Sequence, residues 1–163
     1  MAAAGIAAPG TAAGPLLSVR GLTLAFGPKV IQQDLSFDVR RGSIFAVMGG
    51  SGCGKSTVLR SMVGLLRPGA GSIMVDGEDY WAGSAARRAG MGRRFGVLFQ
   101  GAALWSALTV GGNVALPMQM LTGLDPAAIL RFVRVKLGLV DIADAIDQLP
   151  SALSGGMRKR AGL

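Results

Sequence analysis

The sequence of 163 residues contains no histidine, one cysteine (Cys53) and one glutamate (Glu78). A single cysteine excludes a framework of intrachain disulfides and fits a reducing compartment. Half of the residues are hydrophobic, yet no apolar run approaches the roughly 18 residues that a membrane-spanning helix needs. We therefore predict that the chain is not itself transmembrane and that it forms one domain with its own core.

Negative charge is also scarce, because 9 Asp and Glu residues face 17 Lys and Arg residues, for a net charge of +8. Such an excess is typical of proteins that meet nucleic acid or anionic lipid. The basic residues are spread widely, with denser groups at positions 87–88, 93–94 and 158–160. We interpret them as a solvated surface, with a surface close to acidic lipid headgroups as the alternative. We predict no nucleic-acid partner.

The first fifteen residues are mostly Ala, Gly, Pro and Thr, with Met1 and Ile6 as isolated larger apolar residues. This composition buries too little surface to order itself, and it lacks the basic and apolar regions of a signal peptide. We predict a disordered tail over residues 1–15.

A glycine-rich segment fits the pattern G-x-x-x-x-G-K-[ST]. Its nine residues are Gly49, Gly50, Ser51, Gly52, Cys53, Gly54, Lys55, Ser56 and Thr57. The apolar run 44–48 predicts a fully buried parallel strand before it, and helical spacing predicts a helix from 57 onward. In this context backbone amides and a helix N-terminus bind phosphate. We predict that Lys55 reaches the β- and γ-phosphates of a nucleoside triphosphate and that Ser56 holds Mg²⁺. Cys53 is interpreted as a small residue tolerated in the loop, with a redox role as the alternative.

Alternating apolar residues predict two strands before this loop. They are Leu17, Val19, Leu22, Leu24 and Phe26 around a bulge at Gly21, then Leu35, Phe37 and Val39. Their connection is too short for a helical crossover, so we expect an antiparallel pair. Residues 71–77 predict a strand that enters an Asp-Gly turn, and 94–100 predict a buried strand that ends at Gln100.

The pattern after position 105 is helical. Thr109 is placed to cap a helix that runs to about Met118, and Asp125 followed by Pro126 is a typical start of a second helix. Ser154 is placed to cap a last helix. We therefore expect helices alone from 105 to the last residue.

Four separated motifs follow one another: Phe26, the glycine-rich loop, Gln100, and Leu-Ser-Gly-Gly-Met at 153–157. This order over residues 16–163 resembles the ATP-binding subunit of ABC transporters, with its A-loop, Walker A, Q-loop and signature. The resemblance implies an α/β fold, a P-loop NTPase with an ABC-type RecA-like core. It implies an antiparallel β subdomain with the P-loop core over 16–104 and a helical subdomain over 105–163.

The resemblance also implies roles for individual residues. Phe26 would stack on adenine, with an ordinary strand-end aromatic as the alternative. Gln100 would reach Mg²⁺ and the attacking water, with a polar strand cap as the alternative. Ser154, Gly155 and Gly156 would meet the γ-phosphate of ATP on a second ATPase subunit, which implies a homodimer. Such subunits bind a transmembrane permease and lie on the cytoplasmic face of the inner membrane.

The segments at 99–105, 108–117 and 153–160 resemble the Mla-type ATPases in particular, which serve phospholipid transport between bacterial membranes. The pair Gly111-Gly112 departs from that pattern. Two glycines cost a helix about 1 kcal/mol each relative to alanine, so we expect a weakened helix there.

Hydrolysis in this family uses a Walker B Asp, an adjacent Glu and a switch His, and the resemblance places all three after the signature. Asp76 and Glu78 imitate the first two, but their flanking glycines favour a surface hairpin. We therefore predict a C-terminally truncated, incomplete ABC ATPase that binds ATP at best and does not hydrolyse it. A non-catalytic ATP-binding or docking module is the alternative function.

Overall fold

The computed structural model describes the backbone of residues 2–6 and all atoms of residues 14–163. The chain divides into two compact units between Gly96 and Val97. The first unit contains strands β1 (Ala2–Ile6), β2 (Leu17–Phe26), β3 (Lys29–Val39), β4 (Ile44–Met48), β5 (Ala70–Val75) and β6 (Glu78–Asp79), and helices α1 (Lys55–Met62) and α2 (Ala85–Gly92). The second unit contains helices α3 (Val110–Leu121), α4 (Pro126–Leu139) and α5 (Gly155–Ala161), with short 3-10 turns at Ala143–Ala145 and Pro150–Ala152.

Four strands of the first unit form an antiparallel sheet in the order β3-β2-β5-β6. Along β2, Leu17 and Val19 are buried before Gly21, and Leu22 and Leu24 are buried after it. Gly21 has a φ of 56°, and the pairing register shifts between Val19 and Leu22. The bulge thus moves the buried positions from odd to even numbers, as the sequence predicted.

The core of the first unit joins β2 to Val58 and Met62 of α1, Ile73 of β5 and Tyr80. Just after α1, Gly64 has a φ of 79°, and a Cβ at this position would lie 2.0 Å from the Tyr80 hydroxyl oxygen. Only glycine fits this turn, because any side chain would overlap the buried tyrosine ring.

The strand β4 differs from its prediction as a fully buried parallel strand. It pairs antiparallel with β1, with Ala2 opposite Met48 and Ile6 opposite Ile44. The side chains of Ile44 and Met48 are 80% and 51% exposed, while Phe45 on the other face stacks against Phe37. No described residue covers the exposed face, so the apolar run forms a strand without being buried.

The predicted disordered tail over 1–15 is corrected for residues 2–6, which form β1. A strand edge offers backbone N–H and C=O groups, and these bind a neighbouring backbone whatever its side chains are. An alanine-rich segment can therefore pair there although it has little apolar surface to bury. The tail residues 1 and 7–13 lie outside the described part of the chain.

The buried strand predicted over 94–100 does not form. Residues 97–100 have no strand partner among those described, and Val97, Leu98 and Phe99 are 41%, 56% and 40% exposed. Without a neighbouring strand, the backbone groups of an apolar run have no ladder to join, so composition alone does not make it a strand.

The second unit is helical, as predicted, and its helices begin at the predicted caps. The Thr109 hydroxyl accepts a hydrogen bond from Gly112 N at 3.0 Å, and the Asp125 carboxylate accepts one from Ala128 N at 2.8 Å. The apolar faces of α3 and α4 form one core with the turns that follow them. Its buried residues are Val110, Ala115, Ile129, Val133, Leu137, Ile142, Ala145 and Leu153.

The helix weakness expected at Gly111-Gly112 is offset by packing. Gly111 N donates a hydrogen bond to Ile146 O at 2.8 Å. A Cβ on Gly111 would lie 2.7 Å from Ile146 Cγ1 and 3.0 Å from Ile146 O. Helix α3 therefore approaches Ile146, just after the 3-10 turn Ala143–Ala145, more closely than any residue with a side chain permits, and the contact compensates the low helix propensity.

Replacing Gly111 by Ala should destabilise the chain by about 1–3 kcal/mol, because the overlap with Ile146 outweighs the gain in helix propensity. The matched control is Gly138→Ala in α4, where nothing lies within 4 Å of the added Cβ. That change should raise stability by about 0.5–1 kcal/mol. Urea titrations followed by circular dichroism measure both, and a Gly111→Ala variant as stable as Gly138→Ala would contradict the packing argument.

Candidate functional site

The glycine-rich loop joins β4 to α1 as the sequence predicted. Gly52 and Gly54 have φ angles of 77° and 90°, both in the left-handed region that favours glycine. Gly54 is the N-cap residue of α1, and the helix begins at Lys55. The first amides of α1, which have no partner within the helix, are therefore presented at the loop.

The Lys55 side chain folds back over the loop. Its ammonium donates hydrogen bonds to Gly49 O and Gly50 O, both at 2.7 Å, and lies 3.8 Å from the Cys53 sulfur. Within residues 14–163, no carboxylate lies at ion-pair distance from this ammonium. The positive charge is held by two carbonyl groups and the Cys53 sulfur and is neutralised by no described carboxylate, so the loop keeps a cation available for an anionic ligand.

The strand β3 supports the loop from one side. Gln32 Nε2 donates a hydrogen bond to Cys53 O at 2.5 Å. A Cβ on Gly54 would lie 2.6 Å from Ile31 Cγ2, so β3 packs directly on the loop backbone. Sequence reasoning missed Ile31 and Gln32, because their spacing from the loop carries no local signal and only the fold brings them there.

Phe26 lies at the end of β2 and is 52% exposed. It pairs with Lys29, and Leu24 pairs with Gln32. Phe26 therefore belongs to the hairpin whose second strand supports the loop, and its ring is free to meet a planar ligand.

Gln100 is exposed and belongs to the second unit. It stands in a turn in which Ala102 N donates to Phe99 O at 3.0 Å. Ala102 is buried, and a Cβ added to Gly162 would lie 2.9 Å from the Cβ of Ala102. The segment that carries Gln100 is therefore packed against the end of α5.

The predicted signature residues form the start of α5. Ser154 is its N-cap, and its hydroxyl accepts a hydrogen bond from Met157 N at 3.2 Å. Gly155 and Gly156 are exposed. Arg158 donates to Leu153 O at 2.7 Å, which fixes the first turn of the helix to the segment before it.

Asp76 and Glu78 stand in the β5–β6 hairpin, which agrees with the hairpin predicted from their flanking glycines and not with a Walker B strand. Asp76 pairs with Arg41 and Arg94, and Glu78 pairs with Arg87 at 2.8 Å. Asp76 and Gly77 both have positive φ angles, as a tight hairpin turn needs. These carboxylates hold surface arginines.

Among the described residues, no helix has the length and apolar character to cross a membrane. The described residues also contain no cluster of three or more His, Cys, Asp or Glu side chains suited to a metal ion.

A sequence model of the ABC transporter family matches residues 32–163. The chain is 41% identical over 150 residues to the "Probable ribonucleotide transport ATP-binding protein mkl" of Mycobacterium leprae, covering 92% of this chain and 43% of that protein. It is 39% identical over 148 residues to the "Intermembrane phospholipid transport system ATP-binding protein MlaF" of Haemophilus influenzae, covering 91% and 56%. The chain thus spans about half the length of these curated relatives.

Solved structures show the same fold. A dimeric bacterial ABC transporter cassette matches with a TM-score of 0.81 at 22% identity, covering 90% of this chain and 66% of that one. A protein of Clostridium perfringens that is part of the ABC transporter complex cbiONQ matches with a TM-score of 0.75 at 26% identity, covering 91% and 59%. The match over residues 32–163 and the strand, loop and helix around Lys55 lead to one conclusion: the chain belongs to the ABC transporter ATP-binding family.

Proposed function

We propose that the loop at 49–57 binds the phosphates of ATP with Mg²⁺. The observation that carries this proposal is the Lys55 ammonium, which is held by Gly49 O and Gly50 O with no described carboxylate beside it. The donors of the loop are an ammonium, the Ser56 and Thr57 hydroxyls and the first amides of α1, and this set fits a polyphosphate. Ser56, with Gln100, would hold the metal ion, which neutralises phosphate charge when it is bound.

Phe26 is proposed to stack on the adenine ring. Its exposed ring stands on the β2–β3 hairpin, and Ile31 and Gln32 of the same hairpin contact the loop. An aromatic face tolerates any purine, so this contact adds affinity rather than strict base specificity.

Ser154, Gly155 and Gly156 are proposed to contact ATP held by a second copy of the subunit. Gly155 and Gly156 are exposed and carry no side chain that would block a phosphate at their amides. The composite site would need a homodimer. Each subunit would consist of a P-loop core with a β subdomain over 16–104 and a helical subdomain over 105–163.

The transported substrate is proposed to be phospholipid. The motifs at 99–105 and 153–160 resemble the Mla-type ATPases, and a relative at 39% identity is named for intermembrane phospholipid transport. Another relative at similar identity is named for ribonucleotide transport, so the choice of phospholipid as the proposed substrate depends on the motifs. The subunit would lie on the cytoplasmic face of the inner membrane, bound to a transmembrane permease.

The surface proposed for the permease is the loop around Trp105. Trp105 is 67% exposed, and Leu104 is half-buried. Asn113 fixes this loop, because its side chain accepts a hydrogen bond from Trp105 N at 2.7 Å and donates one to Trp105 O at 3.0 Å. An exposed aromatic on a rigid loop is typical of a protein interface.

Replacing Lys55 by Ala should weaken Mg²⁺–ATP binding at least tenfold, because charge-assisted hydrogen bonds to phosphate contribute about 1.5–3 kcal/mol. Lys159→Ala, which removes an equal charge from α5, is the control and should bind as the parent does. Fluorescence titration with an ATP analogue measures both. Equal affinity of the Lys55→Ala variant and the parent would contradict the site.

The 163-residue chain should release no phosphate from ATP above background. Asp76 and Glu78, the pair that imitates a Walker B Asp and its adjacent Glu, are engaged with arginines in the hairpin. A coupled phosphate-release assay with Lys55→Ala as the blank tests this. Lys55-dependent turnover would favour the enzyme over the alternative of a non-catalytic binding module and would make Asp76 and Glu78 candidates again.

Replacing Trp105 by Ser should reduce co-purification with the transmembrane subunit of the transporter by tenfold or more, as loss of an aromatic anchor at an interface costs about 2 kcal/mol or more. Leu65→Ser, at a position 59% exposed in the first unit, is the control. Unchanged co-purification of the Trp105→Ser variant would exclude this loop as the interface.

A further inference from the structure

One side of α4 is apolar and exposed. The side chains of Phe132, Val135 and Leu139 are 49%, 60% and 74% exposed. They are three and four residues apart, so they share one side of the helix. Val133, between them in sequence, is buried in the core of the second unit. Phe132, Val135 and Leu139 are called the α4 stripe below.

Positive charge flanks the α4 stripe. Arg131, Arg134 and Lys136 are exposed on the same helix, and the helix from Pro126 to Leu139 contains no acidic residue. By helical geometry the two arginines lie on one side of the stripe and the lysine on the other.

A fourth cation is fixed at the C-terminal end of α4. Arg160 of α5 donates through Nη1 to Val140 O at 3.0 Å and to Asp141 O at 3.1 Å. Arg160 and Lys136 line one cavity of about 460 Å³, together with Leu139 of the stripe. The remaining guanidinium N–H groups can donate to an anion there, since the two carbonyl contacts use Nη1 alone.

We propose that the α4 stripe and its basic residues bind the surface of an anionic phospholipid bilayer. Phe132, Val135 and Leu139 enter the headgroup region, and the four cations lie beside lipid phosphates. This pattern, apolar side chains bordered by Arg and Lys, is typical of helices that lie on membranes. None of these side chains belongs to the loop at 49–57 that is proposed to bind ATP.

The size of the stripe favours a bilayer over a protein partner. Three partly exposed side chains offer an apolar patch on the order of a few hundred Å². A stable protein interface buries roughly 1,200–2,000 Å² in total. A bilayer needs no matching pocket, because shallow insertion and charge attraction act together.

The test is co-sedimentation of the 163-residue chain with phosphatidylcholine vesicles, with and without phosphatidylglycerol. The parent should bind only the vesicles that contain phosphatidylglycerol, and added salt should weaken this binding. Arg131→Gln/Arg134→Gln should lower the partition coefficient roughly 30-fold at low salt. Val135→Ser/Leu139→Ser should lower it roughly tenfold or more, and the exposure of both positions leaves the core intact.

Two matched controls separate this surface from general charge and apolarity. Arg67→Gln/Arg93→Gln removes the same charge from the first unit, and Met120→Ser/Leu121→Ser removes exposed apolar side chains from α3. Both should keep most of the parent's binding. Lys55→Ala should keep vesicle binding as well, so that failure of the ATP site and failure of this proposal give different results.

Three results would overturn the proposal. These are equal binding to vesicles without phosphatidylglycerol, equal loss of binding in the control and stripe variants, and no vesicle binding by the parent. In the last case, the parent is tested with an acidic polypeptide in place of the vesicles. If the parent binds it and the Arg131→Gln/Arg134→Gln change abolishes that binding, the surface is assigned to an acidic protein partner.

Discussion

The close approach of β3 to the glycine-rich loop constrains the geometry of the first unit. Ile31 stands where any side chain on residue 54 would have to go, and Gln32 holds the Cys53 carbonyl at 2.5 Å. From the other direction, the Lys55 ammonium draws Gly49 O and Gly50 O toward itself. The loop is thus curved by contacts on both sides before any ligand arrives. Such preorganisation would lower the cost of ordering the loop around the phosphates that we propose it binds.

Two glycines outside the loop, Gly64 and Gly111, also allow a close contact that a side chain would prevent. A Cβ on Gly64 would overlap the Tyr80 ring, and a Cβ on Gly111 would overlap the Ile146 side chain. Gly111, in the first turn of α3, also has a lower helix propensity than alanine. Each glycine permits a close contact, with the buried Tyr80 in the first unit and with the partly buried Ile146 in the second. These glycines, which are weak local formers of secondary structure, therefore lie where two segments of the chain approach each other closely.

The structure distributes its exposed apolar residues over distinct surfaces. Ile44 and Met48 lie on the uncovered face of β4, Trp105 lies on a loop fixed by Asn113, and the α4 stripe is bordered by basic residues. Their surroundings differ in charge and rigidity, so they suit different neighbours. A rigid aromatic suits a protein partner, whereas a line of apolar side chains among cations suits anionic headgroups.

Local chemistry allowed much of the fold and the core of the site to be predicted from the sequence. The bulge at Gly21, the caps at Thr109 and Asp125, and the Asp-Gly turn at 76–77 depend on residues within a few positions of each other. The loop around Lys55 belongs to the same class, because its pattern, strand and helix are contiguous. The stretches 44–48 and 97–99 show the limit of this reasoning, since both are apolar runs and only the first is a strand.

The pairing of β1 with β4 was decided by the tertiary structure alone, whereas the short connection between β2 and β3 had already indicated their antiparallel pairing. Ile44–Met48 became a strand because Ala2–Ile6 supplies a hydrogen-bonding partner about 40 residues away in sequence. The contacts of Ile31 and Gln32 with the loop, and of Ile146 with Gly111, arise in the same way. The sequence determined the residues that can curl around a phosphate and the places where helices begin. The main chain carries the same hydrogen-bonding groups in every segment. Local sequence therefore does not determine which two distant segments pair, and long-range contacts decide it.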